Sequence, residues 1–503
     1  MQKLAIEYFL DTRLKFPDKT AIVEGEQSIT FYDLWTNSLS LAYWIISEFR
    51  WVKMPVVVHL PKSIDAVIAM LAIQLSGNIY VPLDIDSPKK RKNKIMDSLG
   101  NFRVLEKKCG HFTLADQVLI DLEVNVDVPL KEKTVNETLS LRNSIDPLYI
   151  IHTSGTTGIP KGVTIANHSV IDYIDWAIET YKVTDAEIIG NQAPLFFDNS
   201  VLDLYLTFAK GCTLHLLAKD VLRFPADFGK YFTTHKINFI FFVPSVLGNL
   251  TALNIFDSYD LTCIKKILFA GEPMPLSTLK ILRDKLPDTL LSNLYGPTEI
   301  TVDAIYWVFG DEVESLTFVP LGVPCSNHRI IFLDENEQPV TADDEIAEIC
   351  VSGPGVALGY WNNLKSTNRV FIANPEPSTS GEIIYKTGDM GYKSEKDGLI
   401  YMAGRKDNQF KYQGYRIESG EIENALNSLD LIKQSYVIYE SDKKLILAFY
   451  VPHQTGESSP PFRRLLVDLL PRYMIPHRFF PLDQLPLTSN GKIDREKLRQ
   501  EYF

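Results

Sequence analysis

Short apolar runs rich in valine, isoleucine and phenylalanine alternate with segments of helical period through the first four hundred or so residues. That alternation restricts the chain to parallel sheets covered by helices. Residues 56–59 read as a buried strand, and Pro61 with Ser63 as a helix start. Ile64, Val67, Ile68, Leu71 and Leu75 then recur at helical spacing, and Gly77 ends the helix before a second strand at 79–83. The same pattern predicts strands at 149–152, 213–217, 239–243, 266–269 and 329–333. Near residue 405 the character changes: a polar, turn-prone stretch at 404–409 precedes a helix at 418–429, strands at 436–439 and 445–451, and a helix at 462–470. The expected fold class is α/β. A large N-terminal domain, 1–404, holds helix-covered, mostly parallel sheets, and a small α+β domain, 405–503, is long enough for a core of its own.

Composition narrows the function classes. At 503 residues the chain admits about three folding units, or one large unit and one small. Apolar residues at 45% and charged residues at 23% exclude wholesale disorder. A net charge of −12, from 51 basic and 63 acidic residues, argues against nucleic-acid binding, although a small nucleotide needs only a local cradle. Cys109, Cys212, Cys263, Cys325 and Cys350 are odd in number and lack C-x-x-C spacing, which points away from a zinc site and towards a reducing compartment. Glu7 and Asp11 interrupt the apolar stretch at the N-terminus, so no secretory signal is expected, and the apolar runs are too short to span a membrane. A cytoplasmic location without a membrane partner follows as the expectation.

The densest chemistry lies just after the predicted strand at 149–152. Thr153, Ser154, Gly155, Thr156, Thr157 and Gly158 are all small hydroxyl residues or glycines, and Lys161 follows. Glycines let backbone N–H groups approach phosphate oxygens, hydroxyls add donors, and the lysine adds charge. Pro160 before the lysine and Gly162 after it separate the string from a Walker A loop.

This string resembles the phosphate loop of the adenylate-forming superfamily, which groups acyl-CoA synthetases, luciferases and the adenylation domains of nonribosomal peptide synthetases. Six further strings follow in that family's order. Ala270-Gly271-Glu272-Pro273 resembles its adenine segment, and Asn293-Leu294-Tyr295-Gly296-Pro297-Thr298-Glu299 its adenine and magnesium segment. Tyr385-Lys386-Thr387-Gly388-Asp389 resembles the ribose motif. Gly404-Arg405-Lys406-Asp407, followed by the string from Gly414 to Glu421, resembles the hinge and the start of a mobile domain that rotates about Asp407. Asn490-Gly491-Lys492-Ile493-Asp494-Arg495 resembles the loop of the catalytic lysine.

The resemblance implies that ATP is held by these segments, including Gly271, Glu272, Asn293, Leu294, Tyr295, Gly296, Thr298, Asp389, Arg405 and Lys492, with Glu299 on Mg²⁺. The residue types suit those tasks. A carboxylate such as Asp389, set on a turn, can accept bonds from two ribose hydroxyls. Glutamate offers the hard oxygen that Mg²⁺ takes alongside ATP phosphates. Lys492 supplies a point charge on a flexible stem. A solvated turn aspartate and a helix-capping glutamate are the plainer alternatives for the first two.

The implied reaction is attack of a substrate carboxylate on the α-phosphorus of ATP, then transfer of the acyl group to a thiol. Leu195-Phe196-Phe197-Asp198-Asn199-Ser200 bears on the acid. In relatives that adenylate amino acids, the aspartate of a Phe-Asp-x-Ser string pairs with the substrate ammonium, and Asp198 matches it. The alternative is an N-cap for a helix at 201–208. The resemblance places Asp198, Asn199, Leu202, Phe241, Leu268, Ala270, Leu294, Val302 and Asp303 around the amino acid. This set is nearer serine-type than alanine-type pockets, with diamino and β-amino acids still open. Asp303 either accepts a bond from the substrate or points outward to solvent. The whole chain is similar to free-standing amino acid–carrier protein ligases, including those for D-alanine, but their Phe-Cys-Gly-Glu string reads Phe269-Ala270-Gly271-Glu272 here. A separate phosphopantetheine-bearing carrier protein is the implied partner. An acyl-CoA or amide synthetase, and a non-catalytic nucleotide-binding relic, are the competing readings.

Overall fold

The computed structural model describes residues 4–114, 117–118, 127–155, 158–376, 381–453, 461–486, 493 and 495–502. The chain forms two compact units. The larger comprises Met1–Ile85, Leu99–Ile151 and Gly162–Lys406; the smaller comprises Asp86–Ser98, His152–Lys161 and Asp407–Phe503. The single cut expected after residue 404 therefore falls after Lys406, and two segments from the first four hundred residues belong with the C-terminal part. Long-range polar contacts explain this: Arg91 pairs with Glu421, and Ser154 Oγ donates to the Arg416 carbonyl over 2.8 Å. Sequence periodicity carries no trace of such contacts.

In the larger unit, five neighbouring strands of a nine-stranded sheet run parallel: Thr213–Leu216, Ile188–Asn191, Phe239–Phe242, Lys266–Phe269 and Leu290–Tyr295. Phe239–Phe242 is buried at every position, as a strand covered on both faces requires. A second sheet carries Pro55–Val58 in parallel with Ile79–Pro82 and Arg103–Lys108. Between its first two strands runs the helix Ile64–Leu75, capped where Ser63 Oγ accepts from the Ala66 amide over 3.2 Å. Every residue from Ala66 to Leu75 is buried, each large side chain contributing about 1.5–3 kcal/mol of apolar burial.

The third sheet corrects the parallel expectation for residues 329–333. Arg329–Leu333, Ala347–Ser352, Ile383–Lys393 and Ile400–Arg405 pair antiparallel throughout. Burial in Ile383–Lys393 alternates with a period near two, the mark of a sheet with one covered face.

In the smaller unit, Gln409–Tyr412 and Tyr415–Glu418 form a hairpin. Its turn places Gln413 at φ 52° and Gly414 at φ 80°, the double left-handed geometry that matches strand twist. The helix Ser419–Asn427 and the antiparallel pair Ile432–Glu440 and Leu445–Pro452 lie where the sequence puts them. The last expected helix is shorter, Phe462–Leu466. No helix among the described residues is long and apolar enough to cross a membrane.

Candidate functional site

In the larger unit, Phe241, Leu268, Ala270, Leu294 and Tyr295 lie on or just beyond the parallel strands Phe239–Phe242, Lys266–Phe269 and Leu290–Tyr295. In open α/β sheets the carboxyl ends of such strands are where ligands bind. Phe241 is in register with Leu268, and both are fully buried. Leu202, Phe241, Leu268, Ala270, Leu294 and Val302 are all buried and belong to the large hydrophobic core of this unit. Gly271 follows at φ 92°, a conformation that favours glycine. Glu272 accepts from the Ser245 amide over 2.9 Å and so caps the helix Pro244–Ala252. Asn293 donates to the Pro320 carbonyl over 2.7 Å.

Asp198 and Asn199 are half-buried at the start of the helix Asn199–Lys210. Asp198 has helical φ and ψ and makes no side-chain cap hydrogen bond, which removes the N-cap alternative. The Tyr149 hydroxyl is buried without a hydrogen-bond partner; burial and then the Asp198 charge push it well above its ordinary pKa.

Asp389 is buried on the strand Ile383–Lys393, which removes the alternative of a solvated turn aspartate. Tyr295 Oη donates to Asp389 Oδ2 over 2.5 Å, and Arg405, its partner in the neighbouring strand, binds Oδ1. Burial, and then the Asp389 charge, raise the Tyr295 hydroxyl well above its ordinary range, so it stays a donor. The carboxylate is thus held on both oxygens.

Glu299 is fully buried in the 3₁₀ turn Thr298–Ile300, and Tyr360 Oη donates to its Oε1 over 2.7 Å. Thr301 at φ 61° and Val302 at φ 70° follow, both β-branched in a region such residues avoid. A side chain on Gly296 would place Cβ 2.3 Å from the Val302 carbonyl oxygen and 2.5 Å from Asp303 Cα, so only glycine fits there. Asp303 is 1% exposed and accepts from Tyr173 Oη over 2.8 Å, which corrects the outward-pointing alternative.

The strand Pro147–Thr153, which belongs to the larger unit as far as Ile151, leads into the phosphate-loop string, and the contacts that follow lie in the smaller unit. The Gly158 amide closes a tight turn on the Gly155 carbonyl at 2.8 Å. Lys94 Nζ donates to the Gly158 carbonyl over 3.0 Å, and Lys161 Nζ lies 3.9 Å from Glu418. Burial raises the Glu418 pKa, against the pull of Arg416 and Lys161. Asp407, the first residue after the division between units, accepts from the Gln409 amide over 3.1 Å. Thr156, Thr157 and Lys492 lie outside the described residues.

Sequence reasoning missed two tyrosines that orient these acids, Tyr173 and Tyr360. Tyr173 is 130 residues from Asp303 and Tyr360 is 61 from Glu299, and no local pattern joins either pair.

Residues 10–361 match the family described as AMP-binding enzyme, and residues 421–492 its C-terminal domain. The chain is 32% identical over 96% of its length, and over 97% of the relative, to a D-alanine–D-alanyl carrier protein ligase of Bacillus cytotoxicus. It is also 32% identical, over 96% of its own length and 44% of the relative, to tyrocidine synthase 1 of Brevibacillus parabrevis. Its fold is similar to that of the Vibrio cholerae adenylation domain AlmE, solved with glycyl-adenosine-5'-phosphate, with a TM-score of 0.82, 20% identity and coverage of 100% of this chain and 98% of that one. On the family match and the full-length relative together, the chain belongs to the AMP-binding enzyme family.

Proposed function

We propose that the chain uses ATP to convert a small amino acid to its aminoacyl-adenylate and passes the acyl group to the phosphopantetheine thiol of a separate carrier protein. The observation that carries this reading is the match over nearly the whole chain to a carrier protein ligase, with the half-buried acid Asp198 at the start of the helix Asn199–Lys210. An acid in that position suits a substrate ammonium, an opposite charge with which it can form a charge-assisted hydrogen bond. A carboxylate oxygen of the amino acid attacks the α-phosphorus, and the bond to pyrophosphate breaks. The carrier thiolate then attacks the acyl carbon, and AMP leaves.

Asp389, locked by Tyr295 and Arg405, accepts from the two ribose hydroxyls without having to reorient. Backbone amides and side chains of the string from Thr153 to Gly158, with Lys161, hold phosphate oxygens. Glu299 suits Mg²⁺: it is a buried hard-oxygen ligand with one oxygen fixed by Tyr360. Among the described residues no group of three or more His, Cys, Asp or Glu could hold a metal alone, which fits an ion that takes most ligands from phosphate and water. Bound magnesium neutralises phosphate charge. A cytoplasmic location, where ATP is abundant, suits this reaction.

Pyrophosphate exchange across L-, D- and β-amino acids tests the reading, followed by mass detection of the acylated carrier. Exchange with a small amino acid and none with fatty acids is expected; the reverse would move the acyl-CoA synthetase reading to first place. Within the same assay, Tyr295→Phe should raise the KM for ATP about tenfold, because a hydrogen bond to a charged group contributes about 1.5–3 kcal/mol. The KM for the amino acid should change far less.

A further inference from the structure

We propose that Lys62, Asn191 and Asp203 form a tie that fixes the segment carrying Asp198, and that all three are positioning residues for binding of the amino acid. The inference rests on the amino-acid-activating reading above and adds to it the device that sets Asp198 in place.

Three observations carry it. First, the tie closes a loop. Asn191 ends the strand Ile188–Asn191, Asp203 lies on the helix Asn199–Lys210, and the segment with Asp198 runs between them. Asn191 Nδ2 donates to Asp203 Oδ2 over 2.8 Å, which joins two points 12 residues apart. Both residues are fully buried. Within the loop, Ser200 Oγ donates to the Leu195 carbonyl over 3.4 Å, and the Phe197 amide to the Pro194 carbonyl over 3.0 Å. Those bonds shape the turn, and the tie sets where its ends sit.

Second, one cation holds the start of the loop. Lys62 Nζ donates to the Asn191 carbonyl and to Asn191 Oδ1, each over 3.2 Å, and to the Gln192 carbonyl over 3.3 Å. These contacts orient the Asn191 amide, with Oδ1 towards the lysine and Nδ2 towards the acid. Lys62 comes from the second sheet, between the strand Pro55–Val58 and the Ser63 cap of the helix Ile64–Leu75, so the tie joins the two helix-covered sheets of the larger unit.

Third, Asp203 Oδ1 is buried without a hydrogen-bond partner. Burial pushes the Asp203 pKa up to about 8, against the Asn191 hydrogen bond and the charge of Lys62, the groups that act on it from neighbouring elements. Below that pH the acid is neutral and leaves Lys62 on the two carbonyls. Above it, an ionised Asp203 competes with those carbonyls for the lysine and loosens the loop, so amino-acid affinity falls.

Pyrophosphate exchange over L-, D- and β-amino acids in the full chain first identifies the substrate. Wild-type protein inactive with all of them would overturn the functional reading beneath the proposal, an outcome visible before any variant is made. With the best substrate, Lys62→Met is expected to raise the KM for the amino acid about tenfold and to leave the KM for ATP within about twofold. A network that only supports the core would shift both KM values together or neither, and either result overturns the proposal. Should Lys62→Met fail to fold, Asp203→Asn keeps an acceptor for Asn191 and cannot ionise. The ratio of wild-type to variant amino-acid KM should then climb about threefold or more as the pH rises through about 8. The substrate's own loss of its ammonium proton cancels from that ratio. A ratio that stays level overturns the proposal.

Discussion

Replacing Lys492 with alanine is expected to slow adenylate formation by about 10²–10³-fold, the usual consequence of removing one group that stabilises developing charge. Negative charge accumulates on the α-phosphoryl oxygens as the carboxylate attacks, and a lysine on a flexible stem can follow it as a point charge. We propose Lys492 for this role from its place in the string Asn490-Gly491-Lys492-Ile493, a turn-prone sequence with little apolar surface to contribute to a core. The melting temperature of the variant should therefore stay within a degree or so of wild type. The two half-reactions separate the catalytic reading from a general defect. Acyl transfer from supplied aminoacyl-adenylate to the carrier thiol breaks the bond between the acyl carbon and oxygen and no bond to phosphorus, so it should fall much less than pyrophosphate exchange. Wild-type exchange in Lys492→Ala would place the transition-state cation elsewhere.

Much of the fold is legible in the sequence, because a strand covered on both faces must be apolar throughout. Phe239–Phe242 announces itself in that way. Ile383–Lys393 does not: its alternating burial comes from a sheet with one exposed face, and the glycine and aspartate within it read as a turn. The sequence therefore sets Asp389 on a turn, whereas pairing with Ile400–Arg405 draws it into a buried ladder. The acids of the candidate site are legible as types, since Asp198, Glu299, Asp303 and Asp389 all sit in recognisable strings. Their hydroxyl partners are not, because Tyr173 and Tyr360 reach them across the fold and tyrosine in a buried segment looks like any core aromatic. The grouping of Asp86–Ser98 and His152–Lys161 with the C-terminal residues is equally silent in sequence, being set by contacts such as Arg91 with Glu421.

The substitution that bears most directly on substrate class is Asp198→Ala. If the carboxylate pairs with the substrate ammonium, the variant should lose about 2–5 kcal/mol of amino-acid affinity, the cost of leaving one member of a desolvated charge pair alone. ATP affinity should change little, since the ribose acceptor Asp389 is held by Tyr295 and Arg405 independently of Asp198. Stability should also change little. A lost helix cap costs about 1 kcal/mol, but Asp198 makes no cap hydrogen bond to lose. The buried Tyr149 hydroxyl sharpens the expectation. It stays protonated beside Asp198, and a phenol can share an ammonium but cannot neutralise it. Wild type should therefore discriminate strongly against the deaminated acid, and Asp198→Ala should discriminate much less, by removing the charge that made the amine worth binding. Calorimetric titration with ATP, the amino acid and its deaminated analogue reads all three quantities on one protein. Unchanged amino-acid binding in Asp198→Ala would place the ammonium away from this helix, and an acid without an amine would become the better candidate substrate.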